Sequence, residues 1–288
     1  MKGIFYLRHE ESGSDVADQR RPPPAPVEEK IRIDIPQSAR IWNYWMGGKD
    51  YYPIDREAGD AVIAVNPGIV TVAKQSRRFL IRAVSTLAAE LGIRQFLDIG
   101  TGLPTMENTH EVAHSVAPES KIVYVDNDPL VLTHARALLT NTTPEGVTGY
   151  IDANIGDPDL IVADARNFLN FTQPIAVMFM GVLGHVPEFS DMRWIIDRVM
   201  AAVPAGSYLL LWDSTSTSEE VIEGREMQER TQIPYELRTV DELAECFHGL
   251  EMVPPGLVSI TQWRPEIVGA VGDPPGPIDA YGGMGRKP

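Results

Sequence analysis

Gln95-Phe96-Leu97-Asp98-Ile99-Gly100-Thr101-Gly102-Leu103-Pro104-Thr105 is a short apolar run that stops at a carboxylate and breaks into a turn containing two glycines. It reads as a buried strand ending in a ligand-binding loop. Phe96, Leu97 and Ile99 suit a central strand covered on both faces. Gly100 and Gly102 permit backbone angles and close approaches that a Cβ blocks.

A glycine turn between a strand and a helix exposes unpaired N–H groups beside the positive end of the helix dipole, which suits a carboxylate or a phosphate. Two ligand classes fit. A dinucleotide pyrophosphate ordinarily needs a third glycine or alanine three positions after Gly102, where this chain has Thr105. Asp98 points to the other class: a carboxylate is poorly placed beside a pyrophosphate and well placed to receive an ammonium group. The amino-acid end of S-adenosylmethionine carries one. Taken alone, such a glycine pair also occurs in turns that only reverse the chain. Lys121-Ile122-Val123-Tyr124-Val125-Asp126 adds a second apolar run ending in an acid, and Asp128-Pro129 supplies a cap and a first-turn proline for the next helix. An acid at the second strand end, about twenty residues beyond the glycines, is where ribose hydroxyls are held. Both nucleoside ligands share that feature.

Outward from this centre, 288 residues of ordinary apolar content suffice for one large domain with appendages. No stretch is long and apolar enough to span a membrane, and Ile4 to Leu7 is too short for a signal-peptide core, so a cytoplasmic protein is expected. The single cysteine, Cys246, excludes an intramolecular disulfide framework and a cysteine-rich metal site, and reads as a small buried hydrophobe. A formal charge of −15 disfavours sequence-independent binding to nucleic-acid backbones. A small-molecule acceptor is expected instead.

Residues 1–33, with Pro22-Pro23-Pro24-Ala25-Pro26, read as a mobile arm, and 34–93 as a helical cap. In that cap Ile41, Trp42, Trp45 and Met46 share one helical face, the spacing of core residues, and Gly47 stops the helix. Gly48, Lys49, Asp50 and Tyr51 then bring charges and an aromatic into a turn that reads as a lid over a ligand. A long amphipathic helix runs from Ile69 towards Gly92. From Gln95 strands and helices alternate, which implies a parallel sheet covered on both faces. Gly249 to Val253 and Leu257 to Trp263, joined by Pro254-Pro255-Gly256, read as an antiparallel hairpin closing that sheet. This divides the chain into the arm, the cap, a nucleoside-binding domain over 94–265 and a Pro/Gly-rich tail over 266–288.

Trp42-Asn43-Tyr44-Trp45-Met46-Gly47-Gly48-Lys49-Asp50, the Gln95–Thr105 stretch with Asn108-Thr109-His110-Glu111, Val123 to Pro129, and Tyr281-Gly282-Gly283 before Arg286-Lys287-Pro288 together resemble a bacterial S-adenosyl methyltransferase family. The resemblance covers roughly residues 35 to 288. It implies a Rossmann-like class I methyltransferase: a mostly parallel seven-stranded sheet with a C-terminal antiparallel hairpin and an N-terminal helical extension. It implies S-adenosylmethionine as cofactor, with Asp98, Gly100 and Gly102 at its amino-acid end, Asp126 and Asn127 at the ribose, and Asp152 and Ala153 at the adenine. Arg77, on the long helix, is a candidate partner for the cofactor carboxylate.

The strand ending Phe179-Met180-Gly181-Val182-Leu183-Gly184-His185 carries the candidate base. Methyl transfer is an in-line displacement; a hydroxyl acceptor must also lose a proton, and the unperturbed pKa of His185 suits that task. Many members of that family carry the histidine one residue earlier, where this chain has Gly184. An Asn/Asp-Pro-Pro-aromatic sequence, expected for methylating nucleic-acid amines, is absent. The alternatives at this point are a non-catalytic module that binds S-adenosylmethionine or S-adenosylhomocysteine and a nicotinamide-dependent oxidoreductase.

Overall fold

The computed structural model describes residues 6–7, 31–104, 107–138, 142–265 and 276–288. Strand β1 (Tyr6–Leu7) and helices α1 (Ser38–Trp45), α2 (Pro53–Val65) and α3 (Ile69–Ala89) precede the alternating part. That part runs β2 (Gln95–Ile99), α4 (Thr109–Val116), β3 (Lys121–Asp126), α5 (Pro129–Leu138), β4 (Val147–Asp152), α6 (Pro158–Ala165), β5 (Ala176–Met180), α7 (Phe189–Ala202) and β6 (Tyr208–Ser214). After it come α8 (Glu219–Arg230), α9 (Val240–Glu245), β7 (Glu251–Met252), β8 (Val258–Ser259) and β9 (Ala280–Arg286).

The sheet order is β1-β4-β3-β2-β5-β6-β9-β7, with β8 also paired to β9. Strands β1 to β6 are parallel, and β9 runs antiparallel to β6, β7 and β8. β2 lies at the centre of the parallel part, and all five of its residues are buried. Side chains alternate between two cores, as a strand covered on both faces requires. Phe96, Ile122, Tyr124 and Met178 pack with α3 and α4 on one face. Leu97, Val123, Val177 and Phe179 pack with α6, α7 and α9 on the other.

The antiparallel end differs from the sequence expectation. The runs at 249–253 and 257–263 do not pair with each other; β7 and β8 each pair with β9. Residues 280–286, read as part of a tail, thus form the seven-residue strand that joins the parallel sheet to its edge. Its glycines hid it, because glycine weakens a strand pattern while allowing close packing. A Cβ on Gly282 would lie 2.6 Å from the Trp212 side chain, and one on Gly285 would lie 3.0 Å from Leu250 and Phe247. β1 falls inside the segment read as a mobile arm; residues 1–5 and 8–30 lie outside the described residues.

Helix α8 was not legible in the sequence. Its mostly charged run buries only Val221 and Gly224, so it carries no apolar stripe. The Ser218 side chain caps it by accepting from the Val221 N–H.

Within the cap, a buried ion pair joins α1 to α2. Arg40 Nε of α1 lies 2.7 Å from Asp55 Oδ2 of α2, and both side chains are almost wholly buried. The Arg40 guanidinium also donates to the carbonyls of Arg32 and Ile35, and Asp55 accepts from the N–H groups of Gln37 and Tyr52. The pair fixes α1 against α2, and removing one partner would strand a buried charge.

Candidate active site

The carboxyl ends of β2 to β6 and the inner face of α1 enclose a cavity of about 430 Å³. Its floor begins at the β2–α4 turn. Gly100 has φ +75, and a Cβ there would fall 2.2 Å from Val182, so glycine is required by both conformation and space. Gly102 has φ +67, and nothing lies within 4 Å of the position its Cβ would take. The Gly100 N–H donates to the Val125 carbonyl, and the Gly102 N–H to Asp126 Oδ2 at 2.8 Å. These bonds tie the turn to β3.

Asp98, on β2, is buried. Its Oδ2 accepts from the Thr109 hydroxyl at 2.7 Å, while Oδ1 is buried without a hydrogen-bond partner among the described residues. Burial pushes this carboxyl up to about 6, against the Thr109 bond and the nearby positive charge of Arg77. Arg77 lines the same cavity from α3, and its guanidinium makes no hydrogen bond or ion pair among the described residues. A buried acceptor and a cation without a salt-bridge partner therefore line one cavity. They are complementary to the ammonium and carboxylate of an amino acid.

Thr109 is held by the start of α4. Asn108 and Glu111 form a reciprocal capping box there, and the His110 N–H donates to the Tyr124 hydroxyl at 2.8 Å. The His110 ring is pushed down to about 4 by burial, so it is neutral, and its Nδ1 lies 2.9 Å from the same hydroxyl.

At the end of β3, burial also raises Asp126 to about 6, opposed by backbone N–H donors. One of these comes from Asp128, which itself accepts from the Leu130 N–H at the start of α5. Asn127 and Asp128 line the cavity beside it, and Ala153, Asn154 and Ile155 continue the wall after β4.

Over β5 and β6 the wall changes character. His185 faces the cavity from a short 3₁₀ turn, Leu183–His185. Its Nδ1 is 3.1 Å from the Pro234 carbonyl, an oxygen that can only accept, so the proton sits on Nδ1. The Nε2 lone pair then receives the Ser38 hydroxyl of α1 at 2.9 Å. His185 is open to the cavity, and the atoms packed around its ring lower its pKa, against the bond to the Pro234 carbonyl. Gly184 has no room for a side chain, since a Cβ would lie 2.3 Å from the Tyr235 ring. That ring stands edge-on to His185, and its hydroxyl is hydrogen-bonded to buried Asp213. Asp213 also accepts from the Gly184 N–H at 3.2 Å. In this chain Tyr235 fills the space beside residue 184.

Of the residues expected from sequence, Asp98, Gly100, Gly102, Asp126, Asn127, Ala153, Arg77 and His185 share this cavity. Asp152 does not; it is exposed at the end of β4, and the three residues after it form the wall. Gly48, Lys49, Asp50 and Tyr51 also stand outside. Asn43 folds their turn back on α1, its carbonyl accepting from the Gly48 N–H and its Oδ1 from the Asp50 N–H, while the Tyr51 ring packs on Tyr44. The cover is α1 itself, through Ser38, Ala39, Trp42 and Met46. Trp42, Trp212, Met180 and Ser38 were not anticipated as site residues. A tryptophan at helical spacing carries the same signal whether it faces a core or a ligand, and Ser38 reads as a helix cap although its hydroxyl goes to His185.

A parallel sheet closed by an antiparallel strand, with a glycine turn after one strand and an acid at the end of the next, defines a Rossmann-like class I methyltransferase. The family model of the S-adenosyl methyltransferases matches residues 24–288, and the chain belongs to that family, whose cofactor is S-adenosylmethionine. It is similar to a DUF574 family protein from Streptomyces avermitilis, at 44% identity over 89% of this chain and 100% of that one, with a TM-score of 0.84. A candidate methyltransferase from Thermobifida fusca shows 35% identity over 88% and 97% of the two chains, with a TM-score of 0.81. No curated protein matches. Among the described residues no helix is long and apolar enough to cross a membrane.

Proposed function

We propose that this methyltransferase acts on a small-molecule acceptor, with the cofactor over β2, β3 and β4 and the acceptor over β5 and β6. Bound S-adenosylmethionine supplies a methyl group on a sulfonium sulfur that keeps the electron pair of the bond it loses. Asp98 Oδ1 receives the cofactor ammonium and Arg77 its carboxylate. Gly102 leaves space for the backbone to approach the ligand, Asp126 with Asn127 takes the ribose, and Ala153 to Ile155 face the adenine. His185, neutral with its lone pair on Nε2, accepts the acceptor's proton. Residues 34–93 act as the cover that excludes water, through α1.

The observation that supports this reading is that Asp98 Oδ1, without a hydrogen-bond partner among the described residues, lies in one cavity with Arg77. A nicotinamide dinucleotide has no ammonium to match that carboxylate. The test is calorimetric titration with S-adenosylmethionine, S-adenosylhomocysteine and NAD. The first two bind with one-to-one stoichiometry and NAD does not; tight NAD binding, or none by the adenosyl ligands, overturns the assignment of the site.

A further inference from the structure

The geometry points to the class of acceptor: an uncharged, ring-bearing compound that presents a hydroxyl group. The inference rests on the division of the cavity proposed above. Three observations carry it.

The first is the absence of charge. Arg77, Asp98, Asp126 and Asp128 bring charge to the cavity from α3, β2 and the end of β3. The wall formed by α1 and the ends of β5 and β6 consists of Ser38, Trp42, Met46, Met180, His185 and Trp212 with small neighbours, and carries no fixed charge among the described residues. A carboxylate or phosphate drawn into it would lose water without gaining a charged partner, a penalty that a neutral molecule avoids.

The second is shape. The half-buried Trp42 indole faces the cavity and is backed edge to face by buried Trp212, with ring centroids 6.0 Å apart, so the wall offers a fixed aromatic surface. Met46 and Met180 add flexible, polarisable side chains beside them. Rings lie well on such surfaces, and methionines adjust to their outline.

The third is the occupant of the His185 lone pair. Nδ1 is committed as donor to the Pro234 carbonyl, leaving Nε2 able only to accept, and a hydroxyl already sits on it: that of Ser38, at 2.9 Å. The Ser38 side chain marks where an acceptor hydroxyl fits. When the acceptor displaces it, Ser38 turns away and the acceptor O–H points at Nε2. Group and charge then balance. The acceptor oxygen gains the methyl carbon, the pair of the broken carbon–sulfur bond remains on sulfur, and the hydroxyl proton moves to Nε2, converting a sulfonium and a neutral imidazole into a thioether and an imidazolium.

The test uses the full chain saturated with S-adenosylhomocysteine, whose own titration first reports whether the cofactor site is as proposed. Three probes of one ring system are then titrated calorimetrically at neutral pH: 2-naphthol, 2-methoxynaphthalene and 2-naphthoate. 2-Naphthol binds tightest. 2-Methoxynaphthalene, which cannot donate to Nε2, binds about fivefold to tenfold more weakly. 2-Naphthoate is weaker than 2-naphthol by at least about tenfold, because its charge has no partner. Equal binding of the methyl ether overturns the hydroxyl, equal or tighter binding of the carboxylate overturns neutrality, and no binding of any probe overturns the aromatic class. If S-adenosylhomocysteine itself does not bind, the failure belongs to the cofactor reading. Met46→Lys places a cation in the wall and reverses the order of 2-naphthol and 2-naphthoate. Should that variant lose its S-adenosylhomocysteine site, the ranking on the unaltered chain decides alone.

Discussion

Above β2, β3 and β4 the cavity is polar and its bonds are local; above β5 and β6 it is apolar and its bonds reach across the chain. Thr109 donates to Asp98 across eleven residues and Gly102 to Asp126 across 24, whereas Ser38 meets His185 across 147. A floor of short-range bonds is assembled as the βα units form. A wall drawn from α1, the β5 turn and β6 exists only after the cap has docked on the sheet. The first half is suited to a fixed ligand and the second to one that varies, since helix α1 can be repacked without disturbing the glycine turn.

The largest effect that separates the halves comes from Gly102→Val. The position its Cβ would take is open, so the new side chain fills the space through which the cofactor approaches, at a strain cost of about 1–2 kcal/mol from φ +67. S-adenosylhomocysteine binding is abolished while the far-ultraviolet circular dichroism and a cooperative melting transition persist. Retained affinity would show that the turn does not touch the ligand. Gly100→Ala is the contrast: it drives a methyl into Val182 and lowers the melting temperature.

Next is Asp98→Asn. Loss of a charge-assisted bond of about 1.5–3 kcal/mol weakens S-adenosylhomocysteine binding roughly 10- to 150-fold. The pH dependence sharpens the assignment. Because burial holds the free Asp98 carboxyl near 6, and a bound ammonium favours its ionised form, binding releases a proton as pH falls through that value. Affinity falls about tenfold per unit below pH 6, more steeply if Asp126, also raised to about 6, must ionise as well, and it declines again at alkaline pH as the ligand's ammonium loses its proton. Asp98→Asn removes one proton from that slope. An unchanged slope in calorimetry assigns the titration elsewhere.

A smaller effect belongs to the other half. Trp42→Ala removes indole surface from the wall and costs about 0.5–1.5 kcal/mol in 2-naphthol binding, roughly 2- to 10-fold. S-adenosylhomocysteine affinity changes by less than about twofold, being set by charged bonds that Trp42 does not make. A larger loss for the cofactor than for the ring probe would reverse the assignment of the halves.

The same contrast explains what was legible in the sequence. Asp98, Gly100, Gly102 and Asp126 lie at strand ends, where an apolar run stops at an acid or a glycine, so one local window carries both the element and the chemistry. The alternation of strands and helices gave the parallel sheet for the same reason. Strand β9 was missed because its glycines satisfy a packing demand from Trp212, Phe247 and Leu250, all distant in sequence. Asp152 stands outside the cavity lining: a strand-end acid looks alike whether its side chain enters the cavity or leaves it, and here the residues just beyond it form the wall. Ser38 and Trp42 carry no local mark of their role, since what they face is decided by the packing of α1 over the sheet ends, at Trp212 and His185.

That docking makes the last and smallest prediction. The aromatic and charged turn at 47–51 has the composition of a lid, but Asn43 binds its backbone and it lies outside the cavity wall. Helix α1 lies against the cavity, and its first turn lacks a side-chain cap: Ser38, which could have capped a helix, is engaged with His185 instead. Arg40 and Asp55 hold the outer side of this turn, so what a ligand can further order is its cavity side, at Ser38 and Trp42, while the turn at 47–51 is tied by Asn43 away from the cavity. Hydrogen exchange with and without saturating S-adenosylhomocysteine should show slower exchange on binding across residues 38–42 and no change across 47–51. Protection gained at 47–51 with none at 38–42 would return the lid to the turn and leave α1 a fixed wall.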